Sequence, residues 1–240
     1  MEYRQNPQLQ LASEFVQYTN KNIFLTGRAG TGKTTFLHHI KKITPKRMVV
    51  VAPTGVAAIN AGGVTIHSFF QLSFAPAIPR GVQTQTPSPQ REDFKQKFSR
   101  EKIRLIKCID LLVIDEISMV RADTLDAVDE VLRRYRDRSK PFGGVQLLMI
   151  GDLHQLTPVI KDSEWEMLRA YYESVYFFDS RALKNSSPIS IELKEIFRQT
   201  DAQFIHLLNK VRDNIMDKDT IAQLNTRTYP VLNPPTTQAT

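Results

Sequence analysis

Short runs of consecutive apolar residues alternate along the chain with longer amphipathic stretches. Val49-Val50-Val51-Ala52 is one such run, Leu111-Leu112-Val113-Ile114 a second, and Val145 to Ile150, broken only by Gln146, a third. Ile23-Phe24-Leu25 adds a shorter one. Runs like these, with no polar alternation, predict strands buried on both faces of a parallel sheet. Phe36, Leu37, Ile40 and Ile43, and later Leu125, Val128, Leu132 and Tyr135, recur instead at helical spacing, so helices are expected to cross between the strands. Strand and helix in repeated succession predict an α/β fold, a mainly parallel sheet flanked by helices.

The margins are less regular. Residues 7–20 predict a helix with Leu9, Leu11, Ala12, Phe15, Val16 and Tyr18 on its apolar side and Pro7 near its start. Tyr176-Phe177-Phe178 and Ile189-Ser190-Ile191 read as further strands, and Phe204, Leu207, Leu208 and Val211 as the apolar stripe of a helix. From Ser73 to Gln90, Pro76, Pro79, Pro87 and Pro89 alternate with Gln, Thr and Ser, which predicts irregular structure. A charged helix carrying Phe94, Phe98, Ile103 and Ile106 is expected next. Because apolar runs resume afterwards, 73–100 reads as an insertion into one domain.

The first strand runs into Gly27-Arg28-Ala29-Gly30-Thr31-Gly32-Lys33-Thr34, with Thr35 behind it, which fits G-x-x-x-x-G-K-[ST] at every fixed position. Glycines let the backbone amides turn inward, and the helix start adds partial positive charge where a polyphosphate would lie. Lys33 would reach the outer phosphates and Thr34 would hold Mg²⁺. The run Leu111–Ile114 ends in Asp115-Glu116, the partner such a loop requires: Asp115 for the metal, Glu116 to orient and deprotonate an attacking water. Gln155, beyond the next strand, is an amide able to sense a terminal phosphate, and Arg198 is a candidate phosphate-facing arginine.

Further loops follow the second strand. Pro53-Thr54-Gly55-Val56-Ala57-Ala58 stands where ligand contacts of parallel sheets gather. Gly62 to Phe70, containing Thr65, His67, Ser68, Phe69 and Phe70, mixes hydroxyls, an imidazole and aromatic rings. That mixture suits phosphate contacts and base stacking, while Phe69 and Phe70 fit a core equally well.

Composition narrows the classes. The chain has 240 residues, 41% hydrophobic and 24% charged, the balance of a globular protein of one domain or slightly more. A single cysteine, Cys108, excludes an internal disulfide and a cysteine zinc cluster. No apolar run approaches the ~20 residues of a membrane span, and no basic-then-apolar leader opens the chain. His38, His39 and His206 lack metal-ligand spacing, leaving Mg²⁺ as the one metal expected. Net charge is +7. Between Arg80 and Lys107 eight Lys or Arg face three acidic residues, and Arg133, Arg134, Arg136, Arg138 and Lys140 surround only Asp137, as a polyanion partner would select.

Together the blocks resemble the first motor domain of a Pif-one-type DNA helicase, in the RecD/Pif branch of superfamily one. The resemblance runs from about Leu9 to Arg227, through the phosphate loop, Ala52–Ala58, Thr65–Phe69, Val113–Met119, Pro141–Gly144 with Gly151–Pro158, and Glu195–Gln199. It implies a RecA-like motor domain over 1–185 with a small inserted subdomain at about 70–100, and 186–240 as its end plus the start of a truncated second RecA-like domain. It implies ATP and Mg²⁺ as cofactors, ATP-driven 5′-to-3′ translocation and unwinding, and functions in DNA repair, recombination and telomere maintenance. Residue by residue, Gln10 matches the adenine reader. Gly27, Ala29, Gly30, Thr31, Gly32, Lys33, Thr34 and Thr35 match the nucleotide cradle, and Thr34 and Asp115 the metal site. Glu116, Asp115, Lys33, Gln155 and Arg198 match the catalytic groups. Thr54, Gly55, Val56, Thr65, His67 and Ser68 fall where the family grips single-stranded DNA. Single strands and single-strand/duplex junctions are the partners implied, with no membrane, a monomer, and a cytoplasmic, nucleoid-associated location if the source is bacterial. A P-loop switch or kinase indifferent to nucleic acid is the alternative class, and a binding module without turnover a third.

Overall fold

A computed structural model of the protein describes residues 6–79, 98–197 and 202–226. The chain falls into two compact units, Met1–Ile196 and Phe197–Thr240. In the first, six parallel strands form one sheet in the order β3-β2-β4-β5-β1-β6. They are β1 (Ile23–Gly27), β2 (Met48–Ala52), β3 (Val64–Thr65), β4 (Leu111–Ile114), β5 (Gln146–Gly151) and β6 (Ile189–Leu193). The fold class is the expected α/β sandwich. Every residue of β4 and β5 is buried, as central strands covered on both faces must be.

Side chains alternate between two cores. Ile23, Leu25, Val50, Leu111, Val113, Leu148 and Ile150 pack with α1 (Pro7–Tyr18) and α2 (Lys33–Ile43). Val51, Leu112, Ile114, Leu147 and Met149 face the other way, toward α4 (Ile66–Phe70), α5 (Arg100–Cys108) and α6 (Ala122–Tyr135). On α1 the buried stripe is Leu9, Ala12, Ser13 and Val16. Leu11 and Tyr18, expected on it, are exposed, because the stripe follows the three-then-four spacing of a single helix face. Thr54 caps α3 (Gly55–Ala61) and Thr65 caps α4, each hydroxyl accepting an otherwise unpaired amide of the first turn.

Two expectations need correction. The charged helix starts only at Arg100, because Ser99 caps it by accepting Lys102 N at 3.2 Å. Phe98 thus precedes the helix, buried and stacked on Tyr135 with centroids 5.2 Å apart, while Phe94 lies outside the described residues. Tyr176-Phe177-Phe178 is not a strand. Tyr176 makes one isolated bridge to Arg121, and a 3-10 turn follows at Phe177–Asp179. The cause is tertiary: Asp126, on α6, accepts Ser180 Oγ (2.6 Å), Arg181 N (3.1 Å), Ala182 N (3.0 Å) and Tyr172 Oη (2.9 Å), drawing the backbone into the start of α8 (Arg181–Lys184). Between α6 and α8 a 3-10 turn at Pro141–Gly144 precedes β5, and α7 (Asp162–Leu168) follows it.

The second unit contributes α9 (Ala202–Arg212) and α10 (Lys218–Asn225). Among the described residues no helix is long and apolar enough to cross a membrane.

Candidate functional site

The glycine loop leaves β1 at Gly27, where a Cβ would stand 2.7 Å from Thr31 Oγ1 and 2.8 Å from the Leu193 carbonyl, so no side chain fits. Gly30 (φ 80°) and Gly32 (φ 91°) take left-handed backbone, which glycine adopts without strain. Thr31 braces the loop from within: fully buried, it donates its hydroxyl to the Arg28 carbonyl at 2.8 Å. Ala29 lies on the turn between them. Gly32 caps α2 with no side-chain hydrogen bond, and Thr34 and Thr35 are exposed there. Lys33 arches back, its ammonium donating to the carbonyls of Gly27 (2.7 Å) and Arg28 (3.1 Å).

The carboxylate pair ends β4 at the same rim. Asp115 N donates to Val51 O at 2.9 Å. Glu116 is left-handed at φ 51°, ψ 46°, a conformation that costs a non-glycine residue about 1–2 kcal/mol and redirects its side chain. Strand register sets the level, since Thr26 pairs with Gly151 and Met149 with Ile114. With β5 interposed, the ends of β1 and β4 stand about 10 Å apart. Electrostatics point the same way. Burial raises the Asp115 pKa against the pull of Lys33, His38 and Lys41. Burial and then Asp115 raise that of Glu116, Lys33 opposing and Asp152 reinforcing.

Asp152 is a residue whose role the sequence did not announce. Buried directly after β5, it accepts His154 N (3.1 Å) and Gln155 Nε2 (3.1 Å), while its carbonyl accepts Gln155 N (3.0 Å). The loop bearing Gln155 is thus folded around Asp152. Gly151 lets the segment after β4 pack closely against the end of β5, because a Cβ there would meet Ile117 Cγ2 at 2.8 Å.

On the far side of β4, the pairing of Ala52 with Thr65 brings the loops after β2 and β3 together. Gly55 has open space around it and Val56 is 72% exposed, whereas the hydroxyls of Thr54 and Thr65 accept Ala57 N and Ser68 N, both at 3.2 Å. Ser68 is exposed. The half-buried His67 ring stacks on Phe74 (4.4 Å, 17°), and its Nδ1 is buried without a hydrogen-bond partner. Burial, then Arg121, lowers the His67 pKa, with Asp123 opposing. Phe69 and Phe70 are core. The ring that does face solvent, Phe74, is 79% exposed; it lies at the start of the proline-rich stretch, where sequence alone gave it no distinction.

Three expectations stand apart. Gln10, on the exposed side of α1, donates its amide to Glu14 at 2.9 Å. Arg198 and residues 80–97 of the basic stretch lie outside the described residues. In the second basic group Arg133 pairs with Asp129 (2.8 Å), Lys140 with Asp137 (3.4 Å), and Arg136 binds the carbonyls of Ile106 (3.1 Å) and Gly143 (3.3 Å). Those cations serve the fold.

The PIF1-like helicase family model matches residues 4–221. The human ATP-dependent DNA helicase PIF1 is 38% identical over 193 residues, covering 80% of this chain and 27% of that protein. The Saccharomyces cerevisiae enzyme of the same name is 37% identical over 205 residues, covering 83% and 22%. Among solved structures, Bacteroides Pif1 bound to ssDNA superposes with TM-score 0.83 at 41% identity, covering 95% of this chain and 50% of that one. Its complex with ADP-AlF3 and ssDNA gives TM-score 0.84 at 40% identity, covering 95% and 51%. The chain therefore spans about half of those solved proteins and about a quarter of the curated relatives.

Proposed function

The chain belongs to the PIF1-like helicase family, and from that premise we propose that it is the nucleotide- and single-strand-binding first motor domain of an ATP-dependent 5′-to-3′ DNA helicase. The observation that supports the reading is the strand register, which sets the glycine loop after β1, Asp115 and Glu116 after β4 and Asp152 after β5 at one rim of the sheet, with Lys33 folded back over its own loop.

In this reading the amides from Gly27 through Thr35 cradle the phosphates, and Lys33 exchanges the two loop carbonyls for β- and γ-phosphate oxygens. Gln10 reads adenine. The exposed hydroxyl of Thr34 and the carboxylate of Asp115 would suit an ion that takes only one or two protein oxygens and completes its shell with phosphate and water, which is the habit of Mg²⁺. The ion would neutralise developing phosphate charge. Glu116, its carboxyl made more basic by burial, takes the proton of the attacking water. Gln155, oriented by Asp152, senses the terminal phosphate, and Arg198 supplies positive charge to it.

Thr54, Gly55, Val56, Thr65, His67 and Ser68 hold the single strand, His67 as a stacking or hydrogen-bonding group. We place 1–185 as the first motor domain with its insertion at about 70–100, 186–240 as its end and the start of a second, and single-strand/duplex junctions as the working substrate of a monomer. The relatives named ATP-dependent DNA helicases and the solved relative bound to ADP-AlF3 and ssDNA support the reading. Single-stranded DNA should stimulate ATP hydrolysis by the protein; turnover indifferent to every DNA, with phosphate transfer to a small acceptor, would replace the reading with a kinase.

A further inference from the structure

Lys41 lies on the last turn of α2, about 12 Å along the helix axis from Lys33. Its ammonium donates to the carbonyls of Ala61 and Gly62, the latter at 3.0 Å. These carbonyls close α3, whose opposite end, about 9 Å away, is the Thr54–Gly55 turn. α2 and α3 thus both begin at the carboxyl rim, one at the glycine loop and one at the Thr54 loop, and are fastened to each other at their far ends.

The fastening has little slack. Gly62 is left-handed (φ 59°), a backbone conformation that glycine adopts without strain. Gly63 has no room for a Cβ against the carbonyl of Val50. Ala61 is fully buried in the same core as Phe36, Leu37 and Ile40 of α2. Val64 and Thr65, directly after Gly63, form β3, and Thr65 caps the helix that carries His67 and Ser68. A shift of α2 therefore reaches the Thr65 loop through a tight two-glycine turn, and a cation at helix-terminal carbonyls is the favourable partner for that contact.

We propose that Lys41 is a positioning residue that couples the two ligand sites: by holding the end of α3 to the end of α2, it makes affinity for single-stranded DNA depend on whether nucleotide occupies the glycine loop. This rests on the reading of Thr54, Gly55, Thr65 and Ser68 as single-strand contacts. Lys41 is not among the residues read as contacts of either ligand, although its charge pulls on Asp115 from a distance. Its removal should leave DNA binding alone unchanged, alter nucleotide binding only through that field, and uncouple the two.

The test titrates a fluorescent oligothymidylate against the protein with and without a non-hydrolysable ATP analogue, in wild type, Lys41→Met and Lys41→Arg. Wild type should show a nucleotide-dependent change in DNA affinity of ~5-fold or more. Lys41→Met should bind each ligand alone to within ~3-fold of wild type while that ratio falls toward one, and Lys41→Arg, which keeps the charge but not the compact ammonium, should restore it only in part. A Lys41→Met protein that keeps the wild-type ratio overturns the proposal. Wild type that binds no oligothymidylate overturns the functional reading instead, and the proposal with it. If Lys41→Met does not fold, amide exchange of wild type decides: nucleotide should slow exchange at Gly62 to Thr65, and unchanged exchange there contradicts the coupling.

Discussion

The ammonium of Lys33 donates to the carbonyl of Gly27 at 2.7 Å, so the side chain that would hold phosphate oxygens closes the mouth of its own loop. The same cation opposes the raised pKa values of Asp115 and Glu116. In the proposed reading, binding of a triphosphate swings this side chain from carbonyl to phosphate.

Lys33→Ala should therefore lower ATP turnover by ~100-fold or more, while folding stability changes by only about 0.5 kcal/mol, since Lys33 is not core. Steady-state hydrolysis and thermal melting of the same preparation separate the two effects. Comparable losses in both would make Lys33 a structural residue.

Glu116→Gln should abolish turnover, retain nucleotide binding, and raise the melting temperature at neutral pH. The sign follows from the raised pKa. A carboxyl held above its unfolded value favours the folded state fully below the unfolded pKa, about 4.3. That contribution is lost as pH rises through the folded value, above which the half-buried Glu116 carboxylate is a burden on folding. The gain in Tm should shrink toward zero as pH falls below about 4. A variant less stable than wild type at neutral pH would contradict this.

Asp126→Ala should destabilise the protein by about 2–4 kcal/mol, because it leaves Ser180, Arg181, Ala182 and Tyr172 without their shared acceptor. Denaturant unfolding checks this. A loss under about 0.5 kcal/mol would mean that water replaces the carboxylate there.

Neutralising Lys95, Lys97 and Arg100 together should flatten the dependence of DNA affinity on salt by about two units in the logarithmic slope, at ~0.7 per phosphate on a single strand. Neutralising Arg133 and Lys140 should not change the slope, because both are paired with acidic neighbours. Equal slopes for wild type and the triple variant would assign the first group to solvent.

Contiguous features were legible in the sequence. The all-buried β4 and β5, the glycine loop and the Asp115-Glu116 pair each lie within one short stretch whose local pattern states its conformation. The helical stripe through Leu125, Val128 and Leu132 was equally plain. What the sequence hid is tertiary. Tyr176 to Phe178 has strand composition, yet a carboxylate from α6 binds the residues just beyond and turns the backbone. Thr31 looks like another loop hydroxyl and is buried inward instead. The left-handed Glu116, the bracing of Gln155 by Asp152 and the Lys41 contact all depend on residues distant in sequence or on packing. No residue-type pattern announces them.

The central claim, that elements scattered from Gly27 to Gln155 serve one nucleotide, is tested most directly by a crystal structure of the protein with Mg²⁺, ADP and aluminium fluoride. The account predicts the phosphates on the amides of Gly30 to Thr34, Lys33 Nζ moved from the Gly27 carbonyl to phosphate oxygen, and the fluoride group between Lys33 and Glu116. A nucleotide bound elsewhere, or a fluoride group facing away from Glu116 with Lys33 still on Gly27, would contradict it.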